Sequence, residues 1–174
     1  MFIGYPDGFF AIRDLKKNQT VCVRCELEGT VWSIAVARDN KHAYLSDWKG
    51  NITKVQWSVD EYDEIVVDFP DKVVQLGGEW PLSIELAQDD KSLLICARDI
   101  LRVWNTEKKE ITHRIVFGDT GNWASELKLI NNDSHAIAAF FDGTIKCVDL
   151  QKMELTGFEY QAESEKGIFR VLVL

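Results

Sequence analysis

This sequence predicts an all-β chain of short antiparallel blades, on three observations. Segments of roughly five to seven residues alternate apolar and polar side chains, the period of a strand with one buried face. Turns rich in Asp, Asn and Gly separate them, as in "ARDNKH", "AQDDKS" and "INNDSH". The pattern also recurs, since Gly8, Gly50, Asp99 and Gly143 head similar strands at intervals of 42, 49 and 44 residues. Four short strands every 40 to 50 residues, roughly, is the spacing of a propeller blade. The expected fold is a β-propeller or part of one, built of four-stranded antiparallel blades.

In chain order, "MFIGY" reads as a second strand, "DGFFAIRDL" from Asp7 as a third and "TVCVRCEL" as an outer one. Placing Ile34, Ile84 and Leu127 in one column aligns "WSIAVARDNKHAYLS", "LSIELAQDDKSLLIC" and "SELKLINNDSHAIAA" without a gap. Each is an inner strand, a polar turn and a second strand. Third strands follow in "KGNITKVQW" from Lys49, "RDILRVWN" from Arg98 and "DGTIKCVDL" from Asp142. "EITHRIVF" and "ELTGFEYQ" are outer strands. The outer strand of the second blade lies within "EIVVDFPDKVVQL", which holds the surplus of the 49-residue interval, and its position between Glu64 and Leu76 is left open. "IFRVLVL", Ile168 to Leu174, is an inner strand again.

The expectation is a single domain over residues 1–174, about four repeats that open and close mid-blade. A bare apolar strand at Leu174 is a template for pairing. If the ends meet, the last strand completes the first blade; if the array is an open half, a homo-oligomer, a larger complex or a longer parent sequence is expected through the open edges.

"RVWN", Arg102 to Asn105, and "DGTIKCVDL" resemble the strand that ends in Trp-Asp in WD repeats, with Trp104 in the Trp column. The resemblance covers nearly the whole chain. It implies a scaffold that binds a protein or peptide on one loop face.

Composition narrows the partners. With 20 Lys and Arg against 28 Asp and Glu, the net charge is -8, which repels phosphate backbones and anionic lipid. Neither nucleic acid nor a membrane is expected. The N-terminus lacks a basic flank and a long apolar core, so a cytoplasmic protein is expected. Without a secretory signal, Cys22, Cys25, Cys96 and Cys147 read as free thiols. The "CVRC" pair sits in an alternating strand that points its two sulfurs apart, so no zinc is expected there.

The same pass yields no cofactor and no catalytic set. His42 and His135 share one repeat column and His113 stands in an outer strand, so they form no triad. No Gly-rich phosphate loop, nucleophile elbow or metal-binding His pair occurs. The sequence thus predicts no enzyme. A hydrolase or lyase with a channel site is the alternative, and Glu85 and Glu126 are the inner-strand carboxylates it would start from. The acidic run "DEYDE", Asp60 to Glu64, reads as a solvated loop or a dock for a basic partner.

Partner-binding candidates come from the loops. Trp32, Trp80, Trp123 and Phe169 follow a Gly by one to three residues, just before inner strands. Trp48, Arg98, Phe141 and Asp142 occupy the turns between second and third strands. Because antiparallel strands reverse direction, both sets and Glu79 belong to one end of each blade, and Asp39, Asp89 and Asp133 to the other. Trp and Arg are the residue types that most often anchor protein interfaces. Trp48, Arg98, Glu79, Trp80, Trp123, Asp142, Phe141 and Trp32 are the candidates. A role for Trp80 and Trp123 in closing the gap between blades stands beside this reading. So does a structural half-propeller that completes a larger ring.

Overall fold

A computed structural model describes residues 1–24, 27–68, 71–118 and 122–162. All regular structure among them is β. Strands β1 (Phe2–Gly4), β2 (Phe9–Asp14) and β3 (Gln19–Arg24) form the first sheet. The second contains β4 (Val31–Val36), β5 (His42–Asp47), β6 (Asn51–Val59), β7 (Ile65–Val67) and β8 (Asp71–Gln75). The third runs through β9 (Pro81–Leu86), β10 (Ser92–Ala97), β11 (Ile100–Asn105) and β12 (Glu110–Val116). The fourth runs through β13 (Ala124–Ile130), β14 (His135–Phe140), β15 (Thr144–Asp149) and β16 (Glu154–Gln161). The first, third and fourth are antiparallel meanders in sequence order, and in the second β7 and β8 both pair with β6; this is the blade architecture of a propeller. The chain divides into two compact units, Met1–Pro81 and Leu82–Leu174, with two sheets in each.

Hydrogen bonds repeat in the columns that the alignment defines. The carbonyls of Gly50, Asp99 and Gly143 accept from Leu76, Phe117 and Ala162 at 2.8, 2.8 and 2.9 Å, closing the outer strand onto the third-strand head in three blades. The carbonyls of Lys41, Lys91 and Ser134 accept from Trp57, Thr106 and Leu150, each at 2.9 Å. Asn40, Asp90 and Asp133 share one turn column and all adopt a left-handed backbone, with φ of 54°, 55° and 62°. Asn and Asp tolerate that conformation better than other side chains, which is why the turns are written in them.

The second blade departs from the pattern, and its departure accounts for the long interval. β6 is nine residues long, against six for β11 and β15. Its first half pairs with β8, from Asn51↔Gln75 to Lys54↔Asp71, and its last three residues pair with β7. The outer strand left open between Glu64 and Leu76 is therefore two short strands on one long neighbour. The hairpin between β6 and β7 is turned by Asp60, whose Oδ1 accepts from Tyr62 and Glu64 N–H at 2.9 and 2.8 Å. Within the acidic run, Asp63 pairs with Lys17 at 2.7 Å, so part of its charge is met inside the unit.

Each unit has its own core. In the first, Phe10, Leu45, Val55 and Trp57 are buried together, with half-buried Ile34 against them. In the second, Leu127, Ala138, Phe117 and Phe140 are buried, the two Phe rings edge-on at 5.1 Å. Ile84 and Leu127 are buried as the alignment requires, whereas Val171 and Phe169 lie outside the described residues.

Candidate functional site

Lead-in loops and second-to-third-strand turns meet in both units. In the first, the β5–β6 turn carries Trp48 and the β8–β9 connection carries Trp80. Their ring centroids are 6.3 Å apart and tilted by 37°. Both indoles remain substantially exposed, at 45% and 41%. An unpaired indole on a surface loses free energy to water, so a close exposed pair is a ready apolar contact. The Lys49 ammonium sits 5.6 Å from the Trp48 ring centroid, which shows that this face accepts a cation.

The turn beneath Trp48 is fixed by Asp47. Its carboxylate is fully buried and accepts from the main-chain N–H groups of Lys49 (2.9 Å), Asn51 (2.8 Å) and Glu28 (3.1 Å), and from Asn51 Nδ2 (2.8 Å). The first two bonds shape the turn, and the bond to Glu28 ties it to the β3–β4 loop. The indole of Trp48 fills the place that a side chain at Gly29 would need. Gly50, at φ 87°, lets the turn pass under Glu79, whose carbonyl would stand 2.6 Å from a Cβ there. Beside Trp48, the Pro6–Asp7 turn and residues 27–30 border an open depression of about 390 Å³. Glu28 on its rim pairs with Lys72 at 3.6 Å.

Trp32 is exposed for a local reason. Val31 pairs with Asp47 and Ser33 with Ser46, so Trp32 is the extra residue of a β-bulge, which turns its side chain outward to 51% exposure. Ser125 holds the same bulge position in β13.

In the second unit, the Arg98 guanidinium lies 5.4 Å from the ring centroid of half-buried Trp123. Phe141 donates its N–H to the Trp123 carbonyl at 3.0 Å, so Arg98, Trp123 and Phe141 gather at one corner. Asp142 caps the next turn by accepting from Thr144 N–H at 2.8 Å. Thus Trp48 meets Trp80, and Arg98 and Phe141 meet Trp123. Glu79 enters through its main chain.

The remaining polar candidates are occupied locally. His42 pairs with Asp39 at 3.1 Å, His135 with Ser134 at 2.9 Å and His113 with Thr112 at 3.1 Å. Glu85 and Glu126 do converge, on the Lys128 ammonium, which forms an ion pair with each. Cys96 is buried and free, and burial pushes its thiol up to about 12, which leaves it unreactive. Cys25, and with it the CxxC pair, lies outside the described residues. Among the described residues no group of three or more His, Cys, Asp or Glu is placed to hold a metal ion, and no helix is long and apolar enough to cross a membrane.

Asp47, Gly29 and Lys49 are the site residues that sequence reasoning missed. The signal was present in "SDWKGN", an Asp placed two and four residues before main-chain donors, which is the spacing of a carboxylate-capped turn.

Fold and site together define a propeller-type all-β chain with aromatic corners between its loops. No family model matches the sequence, and no curated protein matches it. Among solved structures, hydrazine synthase from Kuenenia stuttgartiensis is similar at a TM-score of 0.62 and 20% identity, covering 84% of this chain. This chain spans 39% of that one. The likeness shows the fold. It also corrects the expectation of no enzyme, because a chain of this architecture bears the name of a synthase. The want of a familiar catalytic motif is therefore no ground for excluding catalysis here.

Proposed function

We propose that this chain is a protein-binding platform of the divergent WD-repeat type, whose contact centre in the first unit is the Trp48–Trp80 pair. The observation that carries the reading is that two indoles 6.3 Å apart stay exposed on a turn held by a buried carboxylate. Such a surface is pre-organised, so little side-chain freedom is lost on binding. The finer likeness to WD repeats is supported by Asp14, Asn105 and Asp149, which close third strands in one column. Each accepts N–H bonds from the residues two and three positions on. Trp104 is buried beside Asn105. The partner is a protein or peptide rather than nucleic acid or membrane, in keeping with the net charge of -8. The setting is the cytoplasm, where free thiols such as Cys96 persist.

Panning a random peptide library against the folded chain tests the platform. Enriched peptides should bind Trp48→Ala about 2 kcal/mol more weakly, roughly thirtyfold, the scale of an interface anchor. Asp39→Asn, in a turn at the other end of its blade, should bind as the parent does. Peptides that bind Trp48→Ala and the parent alike would remove the pair from the site.

One observation favours a structural reading beside this one: among the described residues, β1, β2 and β3 form a sheet of three strands, where the other sheets have four or five. A chain that completes its blades with another copy would run as a dimer or larger in native mass measurement, and a monomer at micromolar concentration would exclude it.

A further inference from the structure

The second unit holds a cavity at the turn end opposite its Arg98–Trp123 corner, with a volume of about 310 Å³. Its apolar wall is made by Leu94, Val103, Leu150 and Met153, and its mouth by the β9–β10 and β13–β14 turns with Asp89 and Asp133. No Lys, Arg or His is among the residues that line it. Asp89 Oδ1 accepts from Lys91 N–H at 2.8 Å, and Asp133 Oδ2 accepts from Gln88 N–H, so each carboxylate is held in place through one oxygen. The nearby Lys91 ammonium pairs with Glu107 at 3.0 Å. The volume lies at the lower end of small-ligand pockets, where a narrow apolar body with one polar group fits.

We infer that this cavity is a binding site for an alkylammonium group, either the side chain of a peptide lysine or a free aliphatic amine. The chain of methylenes lies along Leu94, Val103, Leu150 and Met153, and the ammonium ends at Asp89 and Asp133. An uncharged alcohol would bury the same methylenes without a counter-charge, and a carboxylate would meet two like charges. The carboxylates therefore select the cation, while the apolar wall supplies the affinity that an exposed ion pair does not. This inference does not depend on the Trp48–Trp80 pair.

The chain has two methionines, Met1 and Met153, so methyl-labelled methionine gives two signals and one of them reports on the cavity. Hexylammonium should shift the Met153 methyl resonance to saturation. Hexanol and hexanoate should each need at least tenfold higher concentration for the same shift. The double variant Asp89→Asn, Asp133→Asn keeps acceptors for both main-chain N–H groups, and should bind hexylammonium at least tenfold more weakly while melting as the parent does. Equal binding of the three probes to the parent would overturn the inference whatever the variant does, as would an unmoved Met153 signal. A capped Gly-Lys-Gly peptide then separates the sources. Binding at the strength of hexylammonium assigns the site to a protein side chain, and binding of the free amine alone assigns it to a small amine.

Discussion

The same two loop columns make different corners in the two units. β5 and β10 are equivalent strands of six residues, yet β5 ends in Asp47 and β10 in Ala97. After Asp47 the chain takes three residues, Trp48, Lys49 and Gly50, to reach β6. After Ala97 it takes two, Arg98 and Asp99, with Arg98 left-handed at φ 55°. The longer turn is held from below by a buried carboxylate and carries an exposed indole. The shorter one has a methyl group beneath it, and its cation lies on Trp123. One corner is an exposed aromatic pair fixed by polar bonds, the other a cation resting on a half-buried ring. A repeat keeps the backbone bonds that define the blade and leaves one turn position free to set the surface chemistry.

The sharpest way to break this comparison is to make the first corner like the second. Asp47→Ala copies Ala97 and strips four N–H groups of their acceptor. It should cost about 2–4 kcal/mol of stability in denaturant melts, because the two buried Asn51 donors, left unmet, lose their full desolvation energy. A loss under about 0.5 kcal/mol would mean that the carboxylate does not hold the turn.

Gly29→Ala sharpens the comparison without touching the scaffold. The new methyl group occupies the space of the Trp48 indole, which is the movable end of a side chain, so the ring swings away. Peptides selected on the parent should bind about tenfold more weakly, roughly 1.4 kcal/mol, while the melting temperature moves little. Unchanged binding would show that the position of Trp48 over Gly29 is not the one the partner meets.

The smallest effect concerns what the two units share. Asp14 in the first and Asp149 in the second cap equivalent turns, and both carboxyls lie below their ordinary value of 3.8. The Lys17 and Lys16 N–H groups lower Asp14, and the Lys152 and Gln151 N–H groups lower Asp149. A carboxyl lowered in the fold stabilises it above the ordinary value, and that contribution is lost as pH falls through the folded value. Asp14→Asn and Asp149→Asn should therefore flatten the decline of melting temperature between about pH 4 and pH 2, by similar small amounts. An acid response confined to one of them would break the equivalence of the columns.

The sequence by itself determined the blades. Ile34, Ile84 and Leu127 aligned because burial of one strand face demands alternation. The turn columns aligned because Asn and Asp tolerate a left-handed backbone, and both are one-dimensional signals. Strand reversal was enough to put the loops that carry Trp48, Trp80, Arg98 and Trp123 at one end of the blades, but not to pair them. Tertiary structure decided the rest. The split of the outer strand into β7 and β8 depends on which half of β6 each segment reaches, a long-range pairing that local propensity does not encode. The outward turn of Trp32 comes from a bulge that exists only once β4 is paired with β5. Asp47 looked like any turn Asp until Glu28, nineteen residues earlier, brought its N–H to the other carboxylate oxygen. The cavity walled by Leu94, Val103, Leu150 and Met153 was invisible for the same reason. Each of those residues reads as an ordinary core or turn position, and only the packing of one sheet against the next leaves the space between them.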